Sequence, residues 1–297
     1  MKRFILGTLT ALAILLFLSL PCFARDVQPI VSTDWLEKNM GNAKLVIVDI
    51  RKVEDYRAGH IPGAINVFYG AWAVTRGGLD NEIPADSDLV DLLSSNGVAA
   101  DSWVVIVGQA DNATDRFNRT RVAWTLVYAG VENVAVLDGG HNRWIAEKKA
   151  LATDIVKAKS KPYRGKFNKT VLANKDTVMS SLGKATIVDV RDPEFYEGKT
   201  KVSNVAKAGH IKGALSLPTT PVFNADGTYK DKAVLAAMAS KVVGSDLSRE
   251  IIVYCNTGRE SSTWWYLLSQ VLGYSNVKNY EGSMQEWSKD PSAPIAP

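Results

Sequence analysis

The 297-residue chain is short of the residues that most often carry a reaction. It holds two cysteines and three histidines. The histidines, His60, His141 and His210, and the cysteines are spread too widely to suggest a metal site. No glycine-rich phosphate loop precedes a helix, which argues against nucleotide binding, and no cofactor is expected. A large excess of either charge is also missing. The 35 Lys and Arg residues are mostly interspersed with 31 Asp and Glu, for a net charge of +4. That bias is too weak to argue for nucleic acid as a partner.

Long apolar runs are absent too, apart from one at the N-terminus. Lys2 and Arg3 precede a largely apolar run from Phe4 to Leu20, and Pro21-Cys22-Phe23-Ala24 follows. A charged start, an apolar stretch and small residues near its end make a secretory signal, with cleavage expected after Ala24. The run is about 17 residues, at the short end for a membrane span. The expected product is an exported protein, periplasmic in a Gram-negative cell, with no stable membrane span. Removing Lys2 and Arg3 brings the net charge to +2. Cys22 leaves as well, so Cys255 has no partner for an intrachain disulfide. An unpaired cysteine in an exported protein marks a reactive thiol.

What the chain does have is a repeat. Val46-Ile47-Val48-Asp49-Ile50-Arg51 followed by Ala58-Gly59-His60-Ile61-Pro62-Gly63-Ala64 matches Thr186-Ile187-Val188-Asp189-Val190-Arg191 followed by Ala208-Gly209-His210-Ile211-Lys212-Gly213-Ala214. Gly130, Val134, Gly139 and Trp144 match Gly273, Val277, Gly282 and Trp287. A period of about 140 residues is too long for a solenoid and fits a tandem duplication. In the first copy, Leu45–Ile50, Ala64–Val67, Trp103–Val107 and Asn133–Leu137 read as buried strands. Asp88–Asn96 and Thr120–Ala129 have helical spacing. Short unalternating apolar strands between helices predict a mainly parallel sheet covered by helices on both faces, in two similar α/β domains. The expected division is a signal over 1–24, a first domain over 25–150, a solvated basic linker over 151–169 and a second domain over 170–297. The linker is rich in lysine and contains Pro162 and Gly165.

Cys255 stands where the apolar stretch Ile251-Ile252-Val253-Tyr254 runs into the polar loop Asn256-Thr257-Gly258-Arg259-Glu260-Ser261. In open parallel sheets, ligands sit beyond the carboxyl ends of the strands. Gly258 lets the backbone curl so that N–H groups converge on one spot, an anion-binding nest. Ser261 and Ser262 are candidate caps for the helix that follows. Loop amides, a helix N-terminus and Arg259 all favour thiolate, the nucleophilic form. A cysteine there can hold a terminal sulfur as a persulfide, with the amides sharing its charge. The first copy runs instead into Gly108-Gln109-Ala110-Asp111-Asn112 and has no cysteine, so it cannot perform the same step. Asp189 and Arg191 read first as an ion pair beside the loop, with a supporting role for Arg191. His60 and His210 sit in turns and read as local hydrogen-bonding groups. Trp264 and Trp265 fit core positions better than a substrate platform.

These residues resemble the tandem-domain rhodaneses, the family of thiosulfate and 3-mercaptopyruvate sulfurtransferases. The resemblance rests on both Asp-x-Arg stretches, both Gly-His-Ile-x-Gly-Ala stretches, Leu137-Asp138-Gly139-Gly140 with Trp144, and the loop from Cys255 to Ser261. It implies an inactive N-terminal domain and an active C-terminal one. It further implies a persulfide on Cys255, a small sulfur-donor anion, and a thiol or protein as sulfur acceptor. Two features depart from the family. Asn256 and Thr257 match neither the basic residues of the thiosulfate enzymes nor the Gly-Ser of the mercaptopyruvate enzymes. Phe195 stands where those enzymes carry a second arginine. Two other functions compete. Phosphatases and arsenate reductases of this fold use Cys-x5-Arg, but that place here is Ser261. A non-catalytic binding module would not need Cys255.

Overall fold

A computed structural model describes residues 25–297. The signal read over residues 1–24 lies outside the described residues. Among those described, no helix is long and apolar enough to cross a membrane.

The first half contains strands β1 (Ile30–Val31), β2 (Leu45–Asp49), β3 (Ile65–Asn66), β4 (Val74–Arg76), β5 (Leu79–Glu82), β6 (Trp103–Val107) and β7 (Asn133–Leu137). Five of them form a sheet in the order β1-β7-β6-β2-β3, and β4 with β5 makes a separate antiparallel hairpin. The second half contains β8 (Leu172–Ala173), β9 (Thr186–Asp189), β10 (His210–Ile211), β11 (Leu215–Ser216), β12 (Ile251–Tyr254), β13 (Val277–Tyr280) and β14 (Ile295–Ala296). Its five-stranded sheet has the order β11-β9-β12-β13-β8. Read from the other edge, this is the order of the first sheet. Every pairing within both sheets is parallel. Val104 to Val107 and Ile251 to Tyr254 are all 0% exposed, as central strands covered on both faces require.

The register locates equivalent residues. Asp49 pairs with Val107, and Asp189 pairs with Tyr254. The next residues are Gly108 and Cys255. Their carbonyls accept from the N–H groups of His141 (2.9 Å) and Met284 (3.1 Å), which are also equivalent. Gly108 therefore occupies the place of the cysteine.

The helix predicted over 120–129 begins earlier and spans Ala113–Ala129. Asn112 caps its start by accepting from Asp115 N–H, and Gly130 closes it at φ 93°. Its first turn, Ala113 to Arg116, is exposed or half-buried and largely polar, so it left no mark in the apolar pattern; from Arg119 on the helix is buried nearly all round, polar residues included. The cause is its position between the domains, where it packs on the helix Ser261–Tyr266. Trp264 and Trp265 are wholly buried in the core shared by both halves.

The basic segment 151–169 is mostly exposed and is pinned to the first domain at a few points. Ala152 exchanges backbone hydrogen bonds with His60 (2.9 Å each), as Ala296 pairs with His210 at the end of the second half. Further on, Tyr163 is 7% exposed and donates to Ala129 O (2.7 Å). Its side chain buries enough apolar surface to pin the segment.

Candidate active site

Each domain repeats one buried assembly. Arg191 donates from Nε to Asp189 Oδ1 (2.9 Å) and from Nη2 to Asp189 Oδ2 (2.6 Å) and to Gly209 O (2.8 Å). Arg51 makes the same bonds to Asp49 (3.0 and 2.6 Å) and Gly59 O (2.9 Å). His210 donates from Nδ1 to Tyr196 O (2.8 Å) and stacks on Tyr196 at 3.9 Å; His60 repeats this on Tyr56 at 2.8 and 3.8 Å. Fork-like Arg–carboxylate pairs buried in both copies hold the strand ends in place. The copies differ at the free corner of the guanidinium. Arg191 Nη1 reaches Asn256 Oδ1 (3.3 Å), whereas Arg51 Nη1 meets His141 Nδ1 (2.9 Å). Burial and the adjacent Arg51 pull His141 down to about 4.

Cys255 leaves β12 at 2% exposure. Two of the loop's N–H groups, those of Cys255 (3.1 Å) and Gly258 (3.0 Å), donate to Ser283 Oγ, which itself donates to Tyr280 O (2.7 Å). Among the described residues, the N–H groups of Asn256, Thr257, Arg259 and Glu260 find no protein acceptor. Such a run of open amides behind a cysteine offers a nest for negative charge on sulfur. Gly258 is at φ 71°, and a Cβ there would stand 2.5 Å from Glu281 O, so only glycine fits. Ser283 also lies in the left-handed region, at φ 47°. A serine rarely sits there, and a functional site is where such strain persists. Its counterpart is Gly140, which offers no hydroxyl and whose Cβ would lie 2.3 Å from Gly108 O.

Ser261 and Ser262 do not cap the following helix. Glu260 is its N-cap and makes no side-chain capping bond. Ser261 Oγ donates to Asn279 Oδ1 (2.6 Å) and Ser262 Oγ to Arg259 O (2.5 Å). Both hydroxyls are turned into the protein because both residues are wholly buried. Burial pushes Glu260 up to about 8, and the nearby Asp192 and Asp189 add to the rise. Phe195 replaces a second guanidinium with a ring 5.9 Å from the Arg191 guanidinium carbon.

The first domain also reaches into the site. Asn81, on the β4–β5 hairpin, donates from Nδ2 to Thr257 Oγ1 (2.9 Å) and accepts at Oδ1 from Tyr69 Oη (2.9 Å). Asp80 accepts from Gln285 Nε2 and Asn204 Nδ2 (both 3.0 Å). Arg121, from the central helix, pairs with Glu281 Oε1 (2.9 Å) and donates to Asn81 O. Burial raises the Tyr69 phenol against the opposite pull of Arg121 and Arg259, and the charge on Cys255 raises it further. Ser283 could have been found from the sequence, because the repeat sets it opposite Gly140. Tyr69, Asn81 and Arg121 left no such signal, since they act across a domain boundary. Among the described residues, no three His, Cys, Asp or Glu side chains gather where they could hold a metal.

Two α/β domains of one topology thus hold a single cysteine between them, in an amide-lined loop at the end of one central strand. The rhodanese-like domain family matches residues 32–147 and 174–290, and the chain belongs to that family. It is 32% identical over 280 residues to a Mycolicibacterium smegmatis protein with the provisional name thiosulfate sulfurtransferase, covering 90% of this chain and 96% of that protein. It is 30% identical over 285 residues to the sulfur carrier protein TtuD of Thermus thermophilus, covering 91% and 96%. The crystal structure of YnjE matches with a TM-score of 0.81 at 24% identity, over 90% of this chain and 68% of that one, a likeness of fold.

Proposed function

We propose that this rhodanese-family sulfurtransferase moves a sulfane sulfur from a small anionic donor, such as thiosulfate or 3-mercaptopyruvate, to a thiophilic acceptor through a persulfide on Cys255. The observation that carries this reading is the loop. Four N–H groups that find no protein acceptor among the described residues follow Cys255, at the strand end where the other domain has glycine. The Cys255 thiolate attacks the donor's outer sulfur. A sulfur–sulfur bond forms on the enzyme as the donor's bond to that sulfur breaks. The electron pair leaves with sulfite, or with the enolate of pyruvate, which takes a proton from water. The acceptor, a thiolate or cyanide, then attacks the outer sulfur and returns Cys255 as thiolate. Dividing one transfer into two displacements is the gain of covalent catalysis. Arg259 is the one basic side chain within the loop and serves as the donor's charge partner, since Phe195 supplies none.

The test is to incubate the protein with each donor and weigh it. A gain of one sulfur atom that is absent from Cys255→Ser supports the reading. No gain with any donor would instead favour a binding module. We place the reaction outside the cytoplasm because of the segment from Lys2 to Ala24. N-terminal sequencing of exported protein should begin at Arg25; a start at Met1 would overturn that placement.

A further inference from the structure

We propose that the segment between the domains seats the protein on an anionic phospholipid surface. An outward row of basic side chains meets the headgroups, and Ile155 and Leu151 enter the layer beside it. This surface is separate from the sulfur chemistry and needs none of it.

Residues 157–169 hold Lys157, Lys159, Lys161, Arg164, Lys166 and Lys169 and no acidic residue. The backbone that carries them is held at both helix ends it crosses. Lys161 N–H donates to Ser94 O and Tyr163 N–H to Ser94 Oγ (both 2.9 Å), at the end of the helix Asp86–Ser95. Asn168 N–H donates to Tyr128 O (2.7 Å), near the end of the helix Ala113–Ala129. Gly97 and Gly130 lie just past these helices, at φ 68° and 93°. A Cβ there would stand 2.5 Å from Lys159 O and 2.2 Å from Lys166 O, so the two glycines let the segment lie close. Val156, Ala158, Tyr163 and Phe167 pack inward on the core, while all six basic residues are exposed.

Two duties within the protein could explain such residues. Cations offset the negative end of a helix, and they pair with carboxylates. Among the described residues, only Lys169 has such a partner, Asp86 at 3.0 Å. Lys157, Lys159, Lys161, Arg164 and Lys166 make no ion pair there and donate to no helix carbonyl. The neighbours of the row indicate what it meets. Ile155 is 60% exposed and Leu151 46%, and Ile155 shares a small hollow with the exposed Val53 and Arg57. Apolar side chains bordered by basic ones match a bilayer, where anionic headgroups overlie acyl chains. A nucleic acid offers the charge without the apolar layer. Protein interfaces are poor in lysine, and five of these six basic residues are lysine. With no helix among the described residues long and apolar enough to cross a membrane, the contact is peripheral.

The test is sedimentation with vesicles. The chain from Arg25 on keeps every described residue and leaves out the apolar N-terminal run, which could bind lipid itself. It should sediment with vesicles containing phosphatidylglycerol and stay in solution with pure phosphatidylcholine. Binding should fall between about 0.1 and 1 M salt, as the screening length shrinks from about 10 to about 3 Å. Each basic side chain at an anionic surface strengthens binding about fivefold. The triple variant Lys157→Gln, Lys159→Gln, Lys161→Gln should therefore bind on the order of 10²-fold more weakly. Ile155→Ser should bind roughly tenfold more weakly through lost apolar burial. A control removes the same charge from exposed places in the second domain: Lys207→Gln, Lys212→Gln, Lys241→Gln should bind like the parent. Unchanged urea midpoints confirm that the variants are folded. A parent that stays in solution with phosphatidylglycerol, equal loss in the two triple variants, or an Ile155→Ser variant that binds like the parent overturns the proposal.

Discussion

The two domains share a sheet order, a buried Asp–Arg pair, a stacked Tyr–His pair and a buried tryptophan, yet they differ where chemistry would occur. One ends its central strand in Gly108 with Gly140 beside it; the other ends in Cys255 with Ser283. Features present in both copies form scaffold, because a domain without a nucleophile keeps them for folding. Features present in one copy are the candidates for function. By that criterion Asp189 and most of Arg191 belong to the scaffold, and the contact from Arg191 to Asn256 belongs to the site. The domain without a cysteine contributes through Tyr69, Asn81 and Arg121 and forms one wall of the site.

The most severe way to break the comparison is to exchange the strand ends. Cys255→Ser should take up no sulfur from any donor, read by intact-protein mass. Adding Gly108→Cys to that variant should not restore uptake. A Cβ at Gly108 would lie 3.1 Å from both Arg119 Cγ and Ile50 Cγ1. No serine hydroxyl supports that loop either, because Gly140 holds the place of Ser283. Uptake by the exchanged variant would mean that the second domain's loop is not special.

Next in size are the paired arginines. Asp49 and Asp189 are both 0% exposed, so removing either arginine strands a buried carboxylate. Arg51→Ala and Arg191→Ala should each destabilise the protein by ~3–5 kcal/mol in urea unfolding. Their effects on sulfur transfer should part company. At a temperature where both variants remain folded, Arg191→Ala should slow transfer and Arg51→Ala should leave it near the parent's rate. Equal loss of activity in both would make Arg191 purely structural.

A smaller effect is expected at Arg259. Counted from Gly108 and Cys255, its place in the first domain belongs to Asn112, which caps a helix. Arg259→Ala should slow persulfide formation on the order of 10²-fold, as for loss of one charge-stabilising donor, with unfolding unchanged. Stopped-flow tryptophan fluorescence with thiosulfate would measure it, and a rate equal to the parent's would remove Arg259 as the anion's partner.

The sequence revealed most of what the two domains have in common. Trp103–Val107 and Asn133–Leu137 were readable as strands because a parallel sheet buried on both faces needs continuous apolar runs. The Cys255 loop was readable because its spacing is local. Two kinds of feature were not. The start of the central helix was hidden because its first residues, Ala113 to Arg116, are exposed or half-buried and carry no large apolar side chain to extend the pattern. The hairpin that carries Asn81 was hidden because its short strands are partly buried and lie in neither sheet. Its partners, Thr257, Gln285 and Glu281, are more than 170 residues away in sequence. Periodicity registers burial within a domain and says little about contacts across a boundary.

That boundary should also titrate. Glu82, on the same hairpin, is pushed up to about 7, mainly by burial and next by the neighbouring Glu281. One of its oxygens, Oε1, is buried without a partner. The carboxyl is therefore protonated more readily in the folded protein than in the unfolded chain. The folded state holds the extra proton between the ordinary value of 4.5 and about 7, so stability from this group declines as pH rises through that window. Glu82→Gln keeps the shape without a charge and should flatten this decline. Urea midpoints measured across the window would show it as a smaller slope in the variant than in the parent. If the two slopes coincide, the pH sensitivity of the boundary comes from another group, with Glu281 the first to substitute.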